Sequence, residues 1–169
     1  SVRFYTLEEL IDTNTDTIRA ITLKKQKLST LPEALFRFKQ LQYLDLEKNE
    51  IEDVSRIGEF EHLIYLNLGK NKLQNFPVVV CQLKKLEVLI LNRNEFSYIP
   101  PCINYCENLM YVDLWETPVT SLPNEMQTIK TLTTIDFSGV RMNPTQQSIL
   151  KNQFPNVRLI LDAPCDCLY

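Results

Sequence analysis

The chain has 169 residues, of which 44% are hydrophobic and 23% charged, with a net charge of −3. That balance suits one domain with a sizeable core, and it argues against nucleic-acid binding, which needs clustered Lys and Arg. No stretch approaches the ~18 apolar residues of a membrane span, so no transmembrane segment is expected.

The chain starts at Ser1, without an initiator Met. The expectation is an exported or cell-envelope protein with its signal removed, and a monomer. The first patterned stretch is TLEELIDTN, residues 6–14. Thr6 and Glu9 have capping-box spacing before an apolar stripe at Leu7, Leu10 and Ile11, which predicts a short amphipathic helix. Residues 1–17 are therefore read as an N-terminal cap.

From Ile18 a motif recurs. It begins at Ile18, Leu41, Leu63, Leu86, Leu109, Leu132 and Phe154, at separations of 23, 22, 23, 23, 23 and 22 residues. A fixed period of this kind marks a solenoid, here over 18–162. Within LQYLDLEKNEI, Leu44 and Leu46 alternate along a short strand and point inward, while Tyr43, Asp45 and Glu47 point outward. Asn49, Asn71 and Asn94 recur where the chain leaves the strand. A buried Asn can satisfy turn backbone groups there, so these three form an expected structural ladder. Gln26, Thr117 and Val140 replace the Asn in other coils.

Between strands, LPEALFRFKQL, FPVVVCQLKKL, IPPCINYCENL and SLPNEMQTIKTL share an early Pro and apolar residues three or four apart. Pro suits the first turn of a helix, so short helical or 3-10 turns are expected on the outer face. VSRIGEFEHL, residues 54–63, is one residue shorter and lacks the Pro; it reads as more irregular. NPTQQSILKNQF, residues 143–154, predicts a longer helix, and residues 163–169 a capping tail in which Pro164 discourages edge pairing.

Units of L-x-x-L-x-L-x-x-N followed by L-P starts resemble leucine-rich repeat proteins, of the bacterial or Ras-suppressor-like class with 22/23-residue repeats. The resemblance covers residues 18–162. It implies an α/β solenoid: a right-handed superhelix of about seven coils, with a curved parallel β-sheet on the concave face and short helical or 3-10 turns on the convex face. It also implies protein–protein recognition, with no particular partner.

Catalytic candidates are few. His62 is the only histidine and lies in a turn, as a solvated residue would. No Ser or Cys has a recognisable base partner, and no Gly-rich phosphate loop occurs, so no enzyme and no cofactor are expected. Cys106 occupies a core slot and reads as a small hydrophobe, with Cys102 peripheral and Cys81 on the outer face. Cys165-x-Cys167 has poor spacing for a mutual disulfide and is insufficient alone for a metal site, so no metal is expected. The five cysteines do not resemble a disulfide framework.

Function then rests on the outward face. One column reads Ala20, Tyr43, Tyr65, Val88, Tyr111, Thr134, Asn156. The next reads Thr22, Asp45, Asn67, Ile90, Asp113, Asp136, Arg158. The third reads Lys24, Glu47, Gly69, Asn92, Trp115, Ser138, Ile160. The following position, Lys25, Lys48, Lys70, Arg93, Glu116 and Gly139, gives a basic rim and then an acidic one. Tyr43, Tyr65, Val88, Ile90, Arg93, Tyr111, Asp113, Trp115, Asp136 and Arg158 are the candidate partner-binding residues. The bland reading is solvated charge, with Trp115 folded over its own loop; the sharper one is a contiguous patch around Trp115. Asp113 and Asp136 should be lateral neighbours, relieved by Arg158. Seven strands give a sheet roughly 29 Å by 10–13 Å, smaller than the ~800 Å² per partner of a standard interface. A stable protein or peptide partner would also reach the adjoining loops. A cell-surface adhesive or structural protein, a carbohydrate binder, and a metal or redox role for the tail are the alternatives.

Overall fold

A computed structural model describes residues 2–167. Its core is a single parallel sheet of seven strands in sequence order. β1 to β7 are Ala20–Thr22, Tyr43–Asp45, Tyr65–Asn67, Val88–Ile90, Tyr111–Asp113, Thr134–Asp136 and Arg158–Ile160. Each strand is three residues long, so one central side chain points inward and two point outward. Ile21, Leu44, Leu66, Leu89, Val112 and Ile135 are those central residues and are buried. Each lies beside its counterpart in the next coil. Burying one such side chain is worth about 1.5–3 kcal/mol, so the stack is held by repetition rather than by any one contact.

The convex side is built from five-residue 3-10 turns: Glu33–Arg37, Ser55–Glu59, Val78–Gln82, Pro101–Tyr105 and Asn124–Thr128. Pro32, Pro77, Pro100 and Pro123 stand at their N-caps in extended backbone, as a residue lacking an N–H and locked in φ can. The coil after β2 was expected to be irregular. It instead keeps a turn of the same length, with Val54 as N-cap, because Ile57 and Phe60 still reach the core. What the missing residue changes is the space outside the turn.

The N-terminal expectation needs correction. The Thr6–Glu9 bonds form, with Thr6 N donating to Glu9 Oε2 at 2.7 Å and Glu9 N to Thr6 Oγ1 at 3.4 Å. They cap only a 3-10 turn, Glu8–Leu10, and not a helix across 6–14. Asn14 accepts from Asp16 N and starts a second turn, Thr15–Thr17, so the helix cannot continue. Leu10 is buried and Ile11 exposed. Upstream, Tyr5 bridges to Ile21 in parallel and so extends the sheet edge.

At the other end α1, Pro144–Gln153, carries a complete capping box between Asn143 and Gln146. This full α-helix occupies more chain than a 3-10 turn, and the last strand shifts by two residues. Arg158 pairs with Thr134, and Ile160 with Asp136. The expected alignment of Asn156 with Thr134 and Arg158 with Asp136 is therefore wrong. Cys165 N bonds Met142 O, tying the tail to the stack; residues 168 and 169 of the expected cap lie outside the described residues.

Candidate functional site

The outward face of the sheet is assembled column by column. Tyr43, Tyr65, Val88, Tyr111 and Thr134 are successive lateral neighbours, all half-buried, and Arg158 follows them, exposed. The rings of Tyr43 and Tyr65 lie 6.3 Å apart, and Phe4 meets both edge-on at 6.3 and 6.4 Å. Phe4 was not singled out in the sequence. The aromatic cluster therefore forms at the N-terminal end, and among the described residues no tyrosine ring pairs with Trp115.

The second column serves the backbone. Asp45 Oδ1 accepts from Glu47 N, Asn67 Oδ1 from Gly69 N, Asp113 Oδ1 from Trp115 N and Asp136 Oδ1 from Ser138 N, at 2.8–2.9 Å. Thr22 Oγ1 accepts from Lys24 N at 3.3 Å. A short polar side chain thus closes each strand exit. Ile90 alone in β1–β6 supplies an apolar side chain, half-buried and outward, where its neighbours supply this acceptor. Asn92, two residues on, donates from Nδ2 to Asp113 Oδ2 at 2.7 Å, while its own Oδ1 is buried without a partner.

Asp113 and Asp136 are register partners, as the spacing implied. Burial raises the Asp113 carboxyl above the ordinary carboxylate range, against the Asn92 and Trp115 hydrogen bonds that lower it, and Asp136 raises it further. Burial likewise raises Asp45. Ile160, not Arg158, stands beside Asp136, and among the described residues neither Asp113 nor Asp136 has an ion-pair partner.

The rim differs from two blocks of like charge. Glu47 is bridged by Lys24 and by Lys70, the latter at 2.8 Å, and Arg93 Nε bonds Glu116 at 2.5 Å. Lys25, Lys48, Lys70, Arg93 and Glu116 have φ of 59°, 59°, 54°, 49° and 50°, and Gly139 has 72°. The chain turns through a left-handed residue at each strand exit, and only Gly139 is free of the Cβ penalty. Next in sequence, Asn49 Nδ2 donates to Leu23 O and Leu46 O, Asn71 to Leu46 O and Leu68 O, and Asn94 to Leu68 O and Leu91 O, at 2.9–3.1 Å. Each Asn Oδ1 also accepts from the preceding coil, at Leu28 N, Ile51 N and Leu73 N. Thr117 bonds only Leu114 O, within its own coil.

Trp115 is half-buried and lies across three coils. The Arg93 guanidinium stands 4.3 Å from its ring centroid, and a Cβ on Gly139 would come within 3.3 Å of its Nε1. Part of its area is thus covered by its own chain, and the remainder faces the concavity.

The cysteines also need correction. Cys81 and Cys102 are bonded across adjacent convex turns, with Cα atoms 5.7 Å apart, inside the bridging range. Their separation of 21 is close to one repeat, so stacking rather than local spacing brings them together. Cys106 is buried, donates to Val80 O, and has its thiol pushed up to about 12 by burial. In the tail the Cα atoms of Cys165 and Cys167 lie 5.2 Å apart. Among the described residues no group of three or more His, Cys, Asp or Glu is placed to hold a metal, and no helix is long and apolar enough to cross a membrane. His62 Nδ1 faces Lys85 Nζ at 2.9 Å, away from the concave face.

Comparison with known proteins matches residues 17–152 to the leucine-rich repeat region family. Among curated proteins, the volume-regulated anion channel subunit LRRC8A of Rattus norvegicus is 33% identical over 87 residues, 50% of this chain and 11% of that protein. The chain therefore spans about a tenth of the length of the curated relatives it matches. Among solved structures, a leucine-rich repeat protein of Leptospira interrogans has a TM-score of 0.67 at 21% identity, covering 80% of this chain and 41% of the other. Internalin C2 of Listeria monocytogenes has a TM-score of 0.65 at 24% identity, covering 72% and 52%. At these identities the structural likeness speaks to the fold.

Proposed function

Because the chain belongs to the leucine-rich repeat family, we propose that it is a non-catalytic module that binds a protein partner through the concave sheet face and the adjoining loops. The observation that carries this reading is Ile90. In five other coils the equivalent residue closes the strand exit with a hydrogen bond. Here that bond is replaced by a half-buried apolar side chain, on the same face as Val88 and between Asn67 and Asp113 of the adjacent strands. A departure from the local structural rule without a core contact in return is what a binding surface produces. Trp115 and Arg93 border the same patch, and both types are enriched where binding energy concentrates. Asp113 and Asp136, which have no ion-pair partner among the described residues, would meet a basic group of the partner, with Arg158 at the far edge.

The test is affinity capture with the native chain, with Ile90→Asp and with Trp115→Ala, each checked for an unchanged fold by circular dichroism. A partner retained by the native chain and lost by both variants supports the concave site. Equal retention by all three overturns it.

A further inference from the structure

The geometry points to a second binding surface on the loop edge beside the shortened coil, suited to an extended basic peptide segment with apolar anchors. In the coils whose turn begins at a Pro, that N-cap lies six positions after the strand-exit residue, as Pro77 does after Asn71 and Pro100 after Asn94. Val54 lies five positions after Asn49. The loop running beside Gln74, Asn75 and Phe76 is thus one residue short. A recess of about 380 Å³ opens there, floored by Val54, Leu73 and Phe76 and walled by Val78. That is within the range of ordinary ligand sites, about 300–1,000 Å³.

The recess is not isolated. It shares Asp53 and Ser55 with a smaller one of about 150 Å³ beside Leu31 and Phe36. On the other side it shares Phe76 and Val78 with one of about 230 Å³ bounded by Phe96, Tyr98 and Pro100. Val78 and Tyr98 are each 64% exposed, large apolar groups standing on the wall of a groove and not scattered over a surface. The groove runs across successive coils, which fits a chain more than a compact small molecule.

Charge sets the partner's sign. Glu52 and Asp53 line the central recess, and Glu95 stands beside Gln74. None of the three has an ion-pair partner among the described residues, whereas the nearby cations are occupied: Arg56 by Glu33 and Glu59, Lys72 by Glu50. The backbone N–H groups of Glu52, Asp53, Gln74 and Asn75 also make no hydrogen bond within the described chain. An extended peptide alternating basic and apolar residues puts its apolar side chains on one face, toward the recesses. Its lysines start on the opposite face, and their long stems bend over the rim to bring the ammonium groups to the carboxylates, while its backbone meets free donors.

The experiment is an amide-resonance titration of the ¹⁵N-labelled chain with an octapeptide alternating lysine and leucine. Its controls are the same peptide with glutamate for lysine, and a lysine-only peptide. Shifts confined to residues 52–55 and 74–78, at least tenfold weaker in Glu52→Lys with Val78→Ser, are expected. Both substituted residues are exposed, and a melt within a few degrees of the parent establishes that the variant folds. Binding should be unchanged in Trp115→Ala, so that failure of the concave site and failure of this one are told apart. Equal shifts with the glutamate or lysine-only peptide, shifts on the strands instead, or no shifts at millimolar peptide would each overturn the proposal. So would concentration-dependent self-association abolished by Val78→Ser, which would assign the groove to a second copy.

Discussion

The Arg93 guanidinium stacks on the Trp115 ring at 4.3 Å while its Nε bonds Glu116. The contact joins two coils through the only tryptophan in the chain. A cation over an exposed indole is worth about 0.5–1 kcal/mol. Trp115→Ala should therefore lower the melting temperature by only a few degrees, at about 2–4 °C per kcal/mol for a chain of this size. Arg93→Ala should shift the intrinsic tryptophan emission, because it uncovers one ring face. An unchanged emission maximum would show that the stacking does not hold in solution.

Leu89 is fully buried between Leu66 and Val112. Leu89→Ala should destabilise by about 2–5 kcal/mol, since it removes both transfer energy and packing in the middle of the stack. Urea unfolding measures this directly; a loss below about 0.5 kcal/mol would contradict the inward position.

Asn71 donates to Leu46 O and Leu68 O and accepts from Ile51 N. Asn71→Ala leaves Ile51 N unpaired, at a cost of about 1–3 kcal/mol, and also removes bonds to Leu46 O and Leu68 O, which keep Asn49 and Asn94 as donors. The loss should exceed that of Thr117→Ala, where one bond within a single coil is removed. Parallel denaturation of the two variants checks the order.

Asp113 has its carboxyl raised by burial, so the folded chain holds that proton more tightly than the unfolded one. The stability from the neutral form is present below the unfolded value of about 3.9, and it is lost as pH rises through the folded value. Asp113→Asn removes this loss. Relative to the parent, the variant's melting temperature should rise by a degree or more between pH 3 and pH 7. Comparing the two cancels the opposite contributions of Glu47 and Glu9, which are lowered. A difference that grows toward acid would contradict the assignment.

Cys81–Cys102 ties the Val78–Gln82 turn to the Pro101–Tyr105 turn. Closing a loop of this length contributes about 3 kcal/mol in the chain-entropy account. Reductant should lower the melting temperature of the native chain by several degrees and leave Cys81→Ser with Cys102→Ser unaffected. Alkylation after unfolding without reductant should label Cys106 but neither Cys81 nor Cys102.

The solenoid was legible in the sequence because its causes are local and repeated. Alternation about Leu44 and Leu66 sets which face is inward, Asn49, Asn71 and Asn94 mark strand exits, and Pro32 or Pro77 marks the start of a turn. Each follows from dihedral preferences and side-chain chemistry that act within a few residues. Only the tertiary structure decided what lies one coil away. The bond between Cys81 and Cys102, the stacking of Arg93 on Trp115, and the placing of Ile160 rather than Arg158 beside Asp136 all depend on register. Register accumulates every difference in coil length: the ten residues of α1 shift the last strand by two, and the residue missing before Val54 opens a groove. The left-handed backbone at Lys48 and Arg93 is also imposed from outside, by a strand exit that must turn whatever residue stands there.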